Sequence, residues 1–236
     1  MAGESRRAAF FDVDETVITV KSMFDFLRHW HEQAPGGQGP EAYRSALGGL
    51  HALAASGAHR SEVNRTYYRG FAGVSAAELR AEGLAWYAAY RTRSDAFVTA
   101  TVEAMRAHRR AGDTVVLVSG SFFACLEPLA AELGADLALG SVPLVGPDGR
   151  LTGEVERPMI GAVKGLAVEE TVARLGLDAA DCHAYGDHSS DLDMLRRVGH
   201  PHQVGADPEL TAHALRDGWP RLSADSGPLT QLLRAA

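Results

Sequence analysis

Ala8-Ala-Phe-Phe-Asp12-Val-Asp14-Glu15-Thr16 is the stretch on which the fold turns. The apolar run Ala8–Val13, ending in acid, is the pattern of a parallel strand buried on both faces that meets a site at its C-terminal end. A second such run, Thr114-Val-Val-Leu-Val-Ser119, follows Gly112-Asp113. Val98, Val102 and Met105 recur at helical spacing before it, and Phe122, Leu126, Leu129 and Leu133 do so after it, with Gly134 as C-terminal cap. A hairpin is predicted over Val142–Val155 around Pro147-Asp148-Gly149. Val168, Val172 and Leu175 mark a further helix, stopped by Gly176. His183-Ala-Tyr-Gly186 reads as a third strand and Asp191–Val198 as a helix stopped by Gly199. Strands alternating with helices predict an α/β fold, a Rossmann-like doubly wound parallel sheet with right-handed crossovers. Residues 20–95 break the alternation. Their helical patterning predicts an inserted helical cap, and the flexible turn Pro35–Pro40 lies within it. The expected division is a core of residues 1–19 and 96–236 with a cap of residues 20–95.

The composition bounds the function. The chain has 236 residues, 46% hydrophobic and 22% charged, as in an ordinary globular protein. Its net charge of −7 argues against nucleic acid or an anionic membrane as the main partner. Two cysteines, Cys125 and Cys182, form no CxxC pair, which predicts neither a disulfide framework nor a cysteine–zinc site. The opening residues lack a signal-peptide pattern, and no apolar stretch reaches the roughly 20 residues of a membrane span. A cytoplasmic location is the expectation, with the oligomeric state left open.

Four short signals carry the chemistry. In Asp12-Val13-Asp14-Glu15-Thr16, carboxylates at i and i+2 flank the point where the strand ends, so both can reach one cleft as nucleophile and general acid/base. An acidic turn would read the same way. Ser119-Gly120-Ser121 joins a strand to a helix, where a hydroxyl and free N–H groups suit a phosphate oxygen or a plain N-cap. Lys164, between Val163 and Gly165, is one of only two lysines, the other being Lys21. Gly186-Asp187-His188-Ser189-Ser190-Asp191 places carboxylates at i and i+4 across a strand-to-helix turn, able to hold a hard divalent cation or merely to begin a helix. Asp12, Asp14, Thr16, Ser119, Lys164, Gly186, Asp187 and Asp191 fall in one order, each where a strand ends or a helix starts. At roughly one in twenty per residue type, chance does not assemble such a set.

This order resembles the haloacid dehalogenase superfamily of aspartate-nucleophile phosphotransferases. Ala184–Leu195, Gly199-His-Pro201, Asp207–Leu210, Leu117–Ser121 and the cap after the first motif are similar to its phosphoserine-phosphatase-like branch. The resemblance implies Asp12 as nucleophile, forming an aspartyl phosphate, and Asp14 as general acid/base. It implies Ser119 and Gly120 as phosphate binders and Lys164 as the neutralising cation. Mg²⁺ would be held by Asp187 beside the Asp12 carboxylate and the Asp14 carbonyl, with Asp191 in the metal site as the carboxylate that orients that shell. The expected function is a Mg²⁺-dependent phosphomonoesterase acting on a small soluble phosphate ester. Alternatives are a phosphotransferase or phosphomutase of the same superfamily, or an inactive phospholigand-binding relative. One position departs from the pattern. Where phosphoserine phosphatases carry a glutamate for the substrate ammonium, this chain has Lys21, which makes Lys21 a specificity candidate and phosphoserine a poor substrate. Glu15 reads as exposed, His188 as edging the site, and His200-Pro201-His202 as loop. Trp86, Tyr87 and Tyr90 read as cap core, and a zinc site at His29-Trp30-His31 is disfavoured by its spacing.

Overall fold

The computed structural model describes residues 7–229; the Met1–Arg6 stretch used above, and the last residues of the expected core, lie outside them. In chain order the elements are β1 (Ala8–Phe11), α1 (Ser22–Gln33), α2 (Gly39–Ala55), α3 (Arg60–Arg69), α4 (Ala76–Tyr90), β2 (Phe97–Val98), α5 (Thr99–Arg110), β3 (Thr114–Val118), α6 (Phe123–Leu133), β4 (Leu137–Leu139), β5 (Val142–Val145), β6 (Leu151–Arg157), α7 (Ala162–Leu175), β7 (His183–Gly186), α8 (Leu192–Leu195), β8 (His200–Val204), α9 (Pro208–Asp217), β9 (Arg221–Leu222) and β10 (Ser226–Gly227). Six strands form a parallel sheet in the order β4-β3-β1-β7-β8-β9.

Both sheet faces are covered, as a continuous apolar strand requires. Along β1, Ala9 and Phe11 join a core with α1–α6, whereas Ala8 and Phe10 join a second core with α7, α8 and α9. Because β3 and β7 flank β1, the ends of these three strands open side by side. Such a crevice is where open α/β sheets place ligands.

The insertion leaves and re-enters through two adjacent crossings. Thr19 N–H donates to the Ala96 carbonyl at 3.1 Å and Val98 N–H to the Val17 carbonyl at 3.0 Å. The Tyr90 hydroxyl donates to the same Ala96 carbonyl and accepts from Thr19 N–H, tying α4 to both crossings. Trp86, Tyr87 and Tyr90 are buried, as their spacing predicted.

Two expectations need correction. His200–Val204 is a strand rather than a loop, and parallel pairing with β7 recruits it. Pro201 is tolerated because β9 meets β8 only at Gln203 and Val204, so the missing N–H costs no ladder bond on that side. The helix predicted over Asp191–Val198 shrinks to α8 after a short 3₁₀ turn at Ser189–Asp191. Gly199 N–H donates to the Ala179 carbonyl at 2.8 Å, drawing the chain out of the helix toward β8. Gly199 also lies against backbone, since a Cβ there would sit 1.9 Å from the Ala180 carbonyl oxygen. Neither β4 nor α9 was anticipated: β4 is only three residues long, whereas α9 carries its own signals, with Asp207 as N-cap, Pro208 in its first turn and Gly218 after its end.

Candidate active site

The ends of β1, β3 and β7 deliver Asp12, Ser119 and Asp187 to one crevice, and the first turn of α7 brings Lys164 across from it. All eight positions singled out by the four signals converge there, except that Thr16 and Gly186 act one layer behind. Thr16 Oγ1 donates to Asp187 Oδ1 at 2.9 Å. Gly186 makes room, since a Cβ there would sit 2.8 Å from the Asp191 Cβ.

Asp14 reaches the cleft through a local reversal. Glu15 has φ 65°, the one left-handed non-glycine among the described residues, a conformation that costs an L-residue roughly 1 kcal/mol or more. Val17 N–H and Ile18 N–H both donate to the Val13 carbonyl, closing the turn. Asp14 Oδ1 then accepts from Ser22 N–H at 3.1 Å, where α1 begins. Backbone strain next to a site carboxylate is a recurrent feature of functional sites.

The electrostatics are one-sided. Lys164 Nζ donates to Asp12 Oδ1 at 2.5 Å and to Asp191 Oδ1 at 2.7 Å, with all three side chains buried. Against this one ammonium stand the carboxylates of Asp12, Asp14, Asp187 and Asp191. Burial and the neighbouring carboxylates push Asp12 well above the usual range despite Lys164. Burial and the Asp12 charge raise Asp14 to about 7, and burial with the Asp191 charge raises Asp187 to about 6. Burial alone would lower Lys164, but Asp12 and Asp191 outweigh it and hold the ammonium charged. A site with this surplus of negative charge has the composition of a divalent-cation site. Carboxylate oxygens of Asp12, Asp187 and Asp191 lie within 4.8 Å of one another, so oxygen ligands suited to Mg²⁺ are in place.

The loop after β3 is held from three directions. Asn64 Nδ2 (2.8 Å), the Tyr68 hydroxyl (3.2 Å) and Ser141 Oγ (2.7 Å) all donate to the Gly120 carbonyl. Ser119 Oγ accepts from Ser121 N–H at 3.0 Å, which leaves its own proton to donate into the cleft. Asn64 and Tyr68 come from α3, so helices of the insertion grip the loop directly. Neither was anticipated. The available signal was a buried polar residue one helical turn before a buried tyrosine, too common to single out.

Above these groups lies a cavity of about 440 Å³, lined on its outer side by α1, α2 and α3. Lys21 and Glu15 both line it, and Lys21 Nζ meets Glu15 Oε2 at 2.7 Å, each side chain nearly half exposed. The lysine charge is therefore compensated locally. Glu15 is exposed as expected, but it belongs to the cavity wall. His188 also edges the cavity, its Nδ1 accepting from Ser190 N–H and from Arg60 at 3.1 Å. His29 instead pairs with Glu82 at 3.0 Å, and both cysteines are free and buried.

The family model for haloacid dehalogenase-like hydrolases matches residues 9–196, so the chain belongs to that family. The chain is 35% identical over 224 residues to the "Inhibition of morphological differentiation protein" of Streptomyces azureus, covering 92% of this chain and 78% of that one. It is 32% identical over 228 residues to a probable phosphatase of Mycobacterium tuberculosis, covering 94% and 77%. A substrate-bound phosphoserine phosphatase shares the fold, with TM-score 0.67 and 18% identity over 98% of this chain and 99% of that one. No helix among the described residues is long and apolar enough to cross a membrane.

Proposed function

We propose that this hydrolase is a Mg²⁺-dependent phosphomonoesterase that works through a phosphoaspartate on Asp12 and acts on a small phosphate ester other than phosphoserine. The observation that carries this reading is the buried cluster in which Lys164 bridges Asp12 and Asp191 while Asp14, titrating near 7, faces the same cleft. In the first step an Asp12 carboxylate oxygen bonds to phosphorus and the ester P–O bond breaks, its electron pair leaving with the alcohol oxygen. Asp14 gives its proton to that oxygen. In the second step Asp14 takes a proton from water, the water oxygen bonds to phosphorus, and the Asp12–phosphorus bond breaks to release phosphate. A group that must first donate and then accept a proton works best with a pKa near the working pH, and burial beside Asp12 puts Asp14 there.

Ser119 and the Gly120 N–H hold phosphoryl oxygens, and Lys164 neutralises charge shared between Asp12 and the phosphoryl group. Asp12, Asp187, Asp191 and the Asp14 carbonyl would hold Mg²⁺, which when bound supplies further neutralisation of the phosphoryl charge. The helices of residues 20–95 act as a cap that encloses the alcohol, with the Lys21–Glu15 pair at its rim leaving no free carboxylate for an ammonium group. Phosphate release from an aryl phosphate tests the reading. Activity should require Mg²⁺, vanish with EDTA and fall by at least a thousandfold in Asp12→Asn with the fold retained by circular dichroism. Activity within tenfold of wild type in that variant overturns the covalent route, and full activity after exhaustive chelation removes the metal.

A further inference from the structure

Three features of the cavity wall bear on the alcohol half of the substrate. Beyond the carboxylates, the cavity is lined by Met23, Phe24, Leu50, Val63, Met159 and Ile160, with Lys21, His51, Arg60 and His188 as its basic side chains. Polar groups on the inner part of this wall are already engaged. The Tyr67 hydroxyl donates to the Met23 carbonyl at 2.9 Å, and Asn64 Nδ2 donates to Gly120. The one carboxylate at the rim, Glu15, is paired with Lys21. A polyhydroxylated alcohol lying against the six apolar side chains would surrender hydrogen bonds to water without replacement there, and an ammonium would find basic side chains and no free carboxylate. A hydrocarbon group would instead cover Met23, Phe24, Val63 and Ile160, which the cavity leaves half-buried.

We propose, building on the phosphatase reading above, that the leaving alcohol is apolar: the substrate is a phosphomonoester of an alkyl or aryl alcohol lacking an amine, its hydrocarbon part lying along Met23, Phe24, Leu50 and Val63. The volume agrees. At roughly 30 Å³ per water-sized group, a cavity of about 440 Å³ holds far more than a phosphoryl group.

The test is a homologous series of n-alkyl phosphates from ethyl to octyl, with naphthyl phosphate, glucose 6-phosphate and phosphoserine, assayed for phosphate release. The matching alkylphosphonates, which cannot be hydrolysed, are titrated calorimetrically in parallel. Full burial of a methylene is worth up to about fourfold, so kcat/KM should climb two- to fourfold per carbon until the wall is covered. The aryl ester should exceed both glucose 6-phosphate and phosphoserine. Ala54→Asp, at an exposed wall position on α2 where folding is not at stake, should flatten the climb. Hydrolysis with a flat chain-length profile, or preference for the sugar or amino-acid ester, overturns the apolar assignment and leaves the phosphatase reading standing. No hydrolysis, with phosphonate affinity rising along the series, overturns the phosphatase reading and keeps the apolar ligand. No hydrolysis with flat phosphonate binding overturns both.

Discussion

Three donors on the Gly120 carbonyl are more than its lone pairs need, and their effect is to fix the peptide that presents Ser119 and the Gly120 N–H. Asn64→Leu keeps the branched shape and removes one donor from α3, together with an acceptor for Ser141 Oγ. The phosphate loop should loosen and KM for a phosphate ester rise about tenfold, equivalent to one lost hydrogen bond of about 1.4 kcal/mol. Steady-state kinetics check this, and an unchanged KM means Ser141 and Tyr68 suffice. Lys21 offers a second residue-level test. Lys21→Glu places two carboxylates, the new one and Glu15, at the rim where an ion pair stood. Because both side chains are nearly half exposed, the change should be modest. Amine-bearing esters should gain a few-fold in kcat/KM relative to neutral ones. Equal ratios in the two proteins would make Lys21 irrelevant to selection.

Among the elements, α4 and α6 approach so closely that an ideal Cβ on Gly83 would sit 2.0 Å from the Ala124 carbonyl oxygen. Backbone on the other side cannot yield as a flexible side chain would. Gly83→Ala should therefore destabilise by about 1–3 kcal/mol from overpacking, partly offset by the roughly 1 kcal/mol that alanine gains in a helix. A fall of several degrees in Tm is the expected readout. An unchanged or higher Tm would show that α4 can shift outward freely. The consequence for function is that α4 is fixed to the core by backbone contact, while α3 is fixed by the hydrogen bonds of Asn64 and Tyr68 to Gly120.

For the molecule as a whole, one contribution to acid stability comes from the end of the sheet opposite the active site. At the starts of β7 and β8, His183 stacks on His200 and His202, and His202 stacks on Tyr185. His108 bridges Asp113 (2.7 Å) and the Tyr185 hydroxyl (2.9 Å) beside them. Burial and neighbouring positive charge lower His183 to about 4; the same causes lower His202 to about 4. Folded rings thus stay neutral while unfolded ones, near 6.5, take up protons. Their contribution is complete above about pH 6.5 and is lost as the pH falls toward 4. Partial exposure limits the loss to about 1 kcal/mol per ring. Raised carboxylates in the active site act with the opposite sign, since the folded state then binds protons first. Comparing wild type with His202→Phe in urea melts at pH 7 and 4.5 cancels that background. The variant should lose less stability on acidification, and equal losses would show the histidines to be inert.

Period and punctuation in the chain were enough to determine the parallel sheet, with its strands at Ala8–Phe11, Thr114–Val118 and His183–Gly186. They also placed Asp12, Asp14, Ser119, Lys164, Asp187 and Asp191 at strand ends or a helix start. The reason is local: a strand buried on both faces must be apolar throughout, and polar side chains at its end are free to serve chemistry. What sat beyond the sequence was non-local. Pro201 joins a strand only because β7 pairs with it and no partner faces its missing N–H, and three residues of β4 have no pattern without β3 beside them. Asn64 acquires a role only when α3 folds onto the loop after β3, and the charge of Lys21 is compensated only because Glu15 turns left-handed toward it. Packing between distant segments decides which polar atoms are spent and which face the cleft, and that depends on contacts no stretch of chain contains by itself.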